Sequence, residues 1–245
     1  MDAAVRMVSW DFHNYNSGAS SLAVPYATPH VFCGYHKSKA ALREGSYRSL
    51  AAVANAFARE AQVDEMAALA GMDAVEFRLK NVEDARLREA IERGAERAGW
   101  GKRKMGVAIN LEKDARLALF VEVDVVVKRI VVKRIVNVFD CGAVLNPLNL
   151  RNQMEAAIVQ GLGGALFEAV EHDGKRIVNG RMSRYRVPRF VDVPAIETIL
   201  VDRRNVKPAG AGESPITTIA PAVANAVAAV TGVRLRSLPL ERELA

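Results

Sequence analysis

Between Ser46 and Gly71 the apolar side chains fall at helical intervals, Val53, Phe57 and Ala61 and then Met66 and Leu69, which predicts a helix that Gly71 ends. Two shorter helices follow in "DAVEFRLKN" and "DARLREAIERGAERAGW", where Asp73 and Asp84 are placed to cap free backbone N–H groups. After Gly101 the period shortens towards two. "MGVAINL", "LALFVEVDVVV" and "RIVNVFDCG" have the β-branched content and alternation of strands. The pentapeptide VVKRI occurs there in tandem, from Val126 and again from Val131, with no Gly, Asn or Asp between the copies to make a tight turn. An odd step turns over the face of a strand, so a bulge or irregular turn is expected near Lys128 to Val131.

A long helix is predicted from Pro147, a residue suited to a first turn, and "KRIVNG" and "AIETILVD" read as further strands. Ile219 to Val230 reads as a buried helix ended by Gly232. The segment before Ser46, rich in Asn, Ser, Gly, Pro and aromatics, predicts loops and short strands.

Half of the 245 residues are apolar, enough for one large domain or two modest ones. The longest apolar stretch is broken by Pro221 and Asn225, so no membrane span is expected, and the N-terminus has no apolar core of the export-signal kind. The net charge of +6 is spread among acids without an interleaved aromatic pattern, which argues against nucleic acid as a partner. Cys33 and Cys141 are the only cysteines, which excludes a disulfide framework or a Cys-rich metal or iron–sulfur ligand set in this chain. His13, His30, His36 and His172 have no ligand spacing and read as surface or packing residues.

Candidate chemistry lies in two places. On the long helix Gln153 and Gln160, seven apart, share one face, and Gly161, Gly163 and Gly164 follow. Three glycines inside a helix indicate close approach of a ligand or backbone, or tight helix packing alone. In "AGAGESPITTIAPAV", Gly210 and Gly212 offer backbone freedom, and the lone acid Glu213 stands at a helix entrance. A carboxylate there either caps the helix dipole or does chemistry, and spacing alone favours the cap.

The segments "YRSLAAVANAFARE…DEMAALAGMDAVEFRLKN", "NVFDCGAVLNPLNLRNQMEAAIVQGLGGALFEAV" and "GAGESPITTIAPAVANAVAAVTGVRLRSLPL" resemble, in order, the C-terminal part of the molybdopterin-binding large subunit of the xanthine dehydrogenase/aldehyde oxidase family. The nearest likeness is to its bacterial isoquinoline 1-oxidoreductase branch. The resemblance implies an α+β fold, helices packed on mixed sheets, with residues 1–81 the tail of a first cofactor-binding domain and 82–245 a second. It implies a molybdenum–molybdopterin cofactor, with the cytosine dinucleotide form as one version of it, so no metal ligands are needed from the protein.

In the family's pattern Glu213 matches a desolvated general base. Arg48 matches the arginine beside the metal, and Gly212 and Ser214 lie by it. Gln153, Gln160, Gly161, Gly163 and Gly164 match the stretch bordering the pterin. The implied activity is oxidative hydroxylation of an N-heteroaromatic or aldehyde substrate with water as the oxygen source. The implied partners are a small [2Fe–2S] subunit and a chain supplying the N-terminal half that this sequence lacks, and the expected compartment is the bacterial cytoplasm or periplasm. The alternatives are a non-catalytic remnant that keeps the fold without cofactor, or a basic interaction module.

Overall fold

A computed structural model describes residues 1–39 and 45–244. The predicted strands after Gly101 form β3 (Gly106–Glu112), β4 (Ala115–Val126) and β5 (Arg129–Asp140), joined by β6 (Ala195–Leu200), following the separate pair β1 (Ser9–Tyr15) and β2 (His30–His36). The larger sheet has the order β3-β4-β5-β6, antiparallel up to β5 and parallel between β5 and β6. β1 and β2 form an isolated parallel pair.

The helices are α1 (Ala52–Leu69), α2 (Ala74–Asn81), α3 (Ala85–Ala98), α4 (Pro147–Leu166) and α5 (Ile219–Thr231). They cover both faces of the larger sheet, which is why its strands read as nearly continuous apolar runs. Leu87, Ala90 and Ile91 of α3 meet Val107, Ile109, Phe120 and Val138 on one face, together with Val63 of α1 and Phe77 of α2. Ile158 and Leu162 of α4 and Ile219, Val223 and Val227 of α5 meet Ala108, Leu119, Val121 and Ile135 on the other. The result is the expected α+β arrangement. Ser214–Thr231 is long and apolar enough to cross a membrane, but 83% of it is buried inside the fold.

The caps are as predicted. Asp73 accepts from the N–H groups of Val75 and Glu76, and Asp84 from that of Leu87. Gly71 and Gly232 end their helices at positive φ, as does Gly99 after α3.

Four expectations need correction. Helix α1 starts at Ala52, after a turn, and its apolar periodicity misplaces the core face: Leu69 is 81% exposed, whereas Asn55, Arg59, Glu60 and Asp64 are buried. Their burial is tolerated because each has partners. Glu60 accepts from Tyr26 Oη (2.8 Å), Arg78 Nε (3.1 Å) and the Ile109 N–H (3.1 Å), while Arg59 donates to Asn110 Oδ1 at 2.6 Å.

The segment "KRIVNG" forms no strand, only a single bridge between His172 and Ile177. The irregular turn expected near Lys128 is present, inside the first VVKRI copy, where the chain reverses tightly at Val127 and Lys128, both at positive φ despite the missing Gly or Asn. The bulge lies further on, where the register shifts between Glu122 and Val123 and leaves Lys133 unpaired. That extra residue restores the face, so Ile130 and Ile135, equivalent in the two copies, both reach the core. Gly210 and Gly212 are not at positive φ, so the freedom expected of them is not used.

Candidate active site

Two remote segments, α4 and the loop before α5, meet at Arg48, in the turn before α1 where Ser49 and Leu50 hold φ values of 69° and 54°. Its Nε donates to the Gly212 carbonyl at 2.6 Å, one Nη to Gln160 Oε1 at 3.1 Å and the other to Gln153 Oε1 at 2.8 Å. The planar guanidinium thus ties α4 to the loop before α5. Partial burial lowers the pKa of Arg48, yet the group remains a cation.

Glu213 precedes the 3₁₀ turn Ser214–Thr218 that leads into α5, and its side chain makes no capping hydrogen bond. The carboxylate pairs instead with the ammonium of Lys113, which stands with Asp114 in the β3–β4 turn, both at positive φ. The Glu213 side chain is 40% exposed, so the desolvated carboxylate expected from the sequence is not produced by the described residues of this chain. Ser214 is buried, and its hydroxyl donates inward to the Glu112 carbonyl at 3.3 Å. Thr217 Oγ1 donates to the Ser214 carbonyl at 2.8 Å and accepts from Asn110 Nδ2 at 2.9 Å, which braces the loop against β3.

The glycines divide. A Cβ at Gly161 would press on Ile216 and Ile219, and one at Gly163 on Glu168 and Pro188, so tight packing explains both. At Gly164, Gly210 and Gly212 a Cβ would meet nothing within 4 Å, which leaves bare backbone facing open space. Nearby, the buried hydroxyls of Ser49 and Thr218 have no hydrogen-bond partner among the described residues.

A cavity of about 640 Å³ opens beside Gln160, lined also by Tyr47, Glu168, Val187, Pro188 and Ile196. Burial raises the Glu168 carboxyl above the usual carboxylate range, against a hydrogen bond from Tyr185 Oη at 3.2 Å. Burial, then the proximity of Glu168, pushes the Tyr47 hydroxyl up. Tyr47, Glu168 and Lys113 were not singled out by the sequence. Tyr47 carried a signal as the neighbour of Arg48, but Lys113 looked like any turn lysine. Among the described residues no group of three or more His, Cys, Asp or Glu side chains is placed to hold a metal ion.

These features define a class of domain: a mixed sheet flanked by helices, with an arginine, two amide side chains and bare loop backbone gathered at one end of α1. Residues 45–194 match the molybdopterin cofactor-binding domain family, and the chain belongs to it. It is 33% identical, over 77% of its length, to the beta chain of isoquinoline 1-oxidoreductase of Brevundimonas diminuta, and 29% identical, over 94%, to a nicotinate dehydrogenase chain of Pseudomonas putida. It spans only 26% and 21% of those two relatives. In fold it resembles quinoline 2-oxidoreductase from Pseudomonas putida 86, with a TM-score of 0.80 at 13% identity, covering 96% of this chain and 59% of that one. The aldehyde oxidoreductase of Desulfovibrio desulfuricans ATCC 27774 is similar at a TM-score of 0.78 and 15% identity, covering 99% of this chain and 47% of that one.

Proposed function

We propose that this chain is part of the catalytic subunit of a molybdenum hydroxylase that oxidatively hydroxylates an N-heteroaromatic compound or an aldehyde, taking oxygen from water. The observation that carries the reading is the Arg48 junction, which fixes Gln153, Gln160 and Gly212 together and sets Glu213 beside them. The relatives named for isoquinoline, nicotinate and quinoline favour the heteroaromatic class.

The residues present fit a molybdopterin. Bare backbone at Gly164, Gly210 and Gly212 allows close approach of a phosphate- and amide-rich ligand, and the unpartnered hydroxyls of Ser49 and Thr218 are suited to its polar atoms. Gln153, Gln160 and the glycine segment would border the pterin, with Arg48 and Gly212 beside the metal. When bound, the cofactor supplies the two-electron oxidation and the activated oxygen. Glu213 would act as the general base that takes up a proton at the site, a role that needs the carboxylate ionised and aimed. Arg48 holds the loop that aims it.

Covering of the exposed side of Glu213 by a partner chain would exclude water and strengthen it as a base. The same reading gives a small [2Fe–2S] subunit as electron acceptor and a chain supplying the remainder of the enzyme. It also includes the cytosine dinucleotide form of the cofactor, and the division at residue 81 into the tail of one cofactor-binding domain and a second one.

The test is the molybdenum content and pterin fluorescence of the chain, purified with and without co-expressed partner chains, and the turnover of Glu213→Gln in the assembled enzyme. We expect cofactor in the assembled form and, in the variant, retained molybdenum with turnover reduced by about 10²–10⁴-fold. Wild-type turnover in the variant at every pH would remove Glu213 from the chemistry. Loss of molybdenum in the variant would make it a support of the loop instead.

A further inference from the structure

Lys113 is a second charged group at this site, and the base role of Glu213 does not use it. The β3–β4 turn carries it away from the sheet, with φ values of 50° at Lys113 and 61° at Asp114, and its ammonium reaches Glu213 across the entrance. The side chain is 44% exposed. The other cation tied to this loop, Arg48, is committed to Gly212 and the two glutamines. Lys113 pairs with Glu213 alone among the described residues and, as an ammonium, has three donors. It is therefore the cation at this site able to receive a ligand.

An ammonium paired with the base has a chemical consequence. A neutral substrate gains little from it and leaves the pair closed. An anionic substrate competes with Glu213 for the ammonium, and when its carboxylate succeeds, Glu213 is released from the cation that stabilised its charged form and becomes the stronger base. We propose that Lys113 is a specificity-determining residue that selects a carboxylate-bearing heteroaromatic substrate and couples its binding to the release of Glu213. The proposal rests on the molybdenum hydroxylase reading for the place of the substrate, but Lys113 itself takes no part in the bond changes.

The experiment is titration calorimetry on the assembled enzyme with pyridine-3-carboxylate and, as the neutral isostere, pyridine-3-carboxamide. It is paired with kcat/KM for both compounds. A charge-assisted hydrogen bond in a half-exposed site should make the acid bind about tenfold more tightly than the amide. Lys113→Met should erase that preference, in binding and in the ratio of the two kcat/KM values, and Lys113→Arg should restore most of it. Equal affinity of the wild type for acid and amide, failure of the acid to bind, or a preference that survives in Lys113→Met would overturn the proposal. Glu213→Gln separates the two readings: if it turns over normally, the base role falls, whereas the acid-over-amide preference of the wild type is judged on binding alone.

Discussion

At the scale of single residues, the site is built from side chains whose charge state depends on what surrounds them. Glu168, by the cavity beside Gln160, is the clearest case, because burial raises its carboxyl against one hydrogen bond among the described residues, from Tyr185. A folded-state pKa above the unfolded value, about 4.3 for Glu, contributes stability that is full below that value and lost as pH rises through the folded one. Glu168→Gln should therefore melt about 1–2 °C above the wild type at pH 7, with the gap closing near pH 4. Equal melting temperatures at both pH values would show that Glu168 ionises freely. Of the site residues, Arg48, Gln153, Gln160 and Glu213 were legible because they lie in long recognisable motifs. Lys113 and Glu168 were not, since their proximity to the others comes from a turn and a loop with no periodic signal. The capping alternative for Glu213, favoured on spacing, loses its support because the side chain turns to Lys113 rather than to the free N–H groups.

At the scale of elements, most strands and helices followed from periodicity and caps, and the misread face of α1 has an identifiable cause. A hydropathy pattern identifies a buried face only when buried residues are apolar, and α1 buries Arg59, Glu60 and Asp64 instead. The ion pairs and hydrogen bonds that make this tolerable come from α2, from β3 and from Arg234 after α5, which local sequence cannot reveal. Helix α5 touches β3 so closely that a Cβ at Gly106 would overlap the Ala222 carbonyl and the Ala226 backbone. Backbone cannot rotate away as a side chain can. Gly106→Ala should cost about 1–3 kcal/mol or more, by separation of helix and strand, measurable as a lower denaturation midpoint with unchanged slope. A variant of wild-type midpoint would mean that α5 can shift at no cost. The tandem VVKRI is a second instance: parity foresaw a bulge, but its place at Lys133 was set by the need to bury both isoleucines.

For the whole molecule, the surface is uneven. Val31, Phe32 and Tyr35 of β2 are exposed, and among residues 170–193 Met182, Val191 and Phe190 are more than 80% exposed. A two-stranded parallel pair is marginal alone, because parallel strands normally lie inside larger covered sheets. The chain expressed by itself should therefore associate, eluting as oligomers in size-exclusion chromatography and shifting to a defined complex when partner chains are supplied. A sharp monomer with a cooperative melt would contradict this. The class of fold was legible because both faces of the larger sheet are covered within this chain, whereas the role of its open surfaces was not. The Arg48 junction also has a consequence in time rather than space. Its three hydrogen bonds join residues 105, 112 and 164 positions apart, so each closes a long loop and they are expected to form late in folding, after the local helices and strands. The junction is thus a late latch, shut only when α4 and the loop before α5 have packed against the turn that carries Arg48.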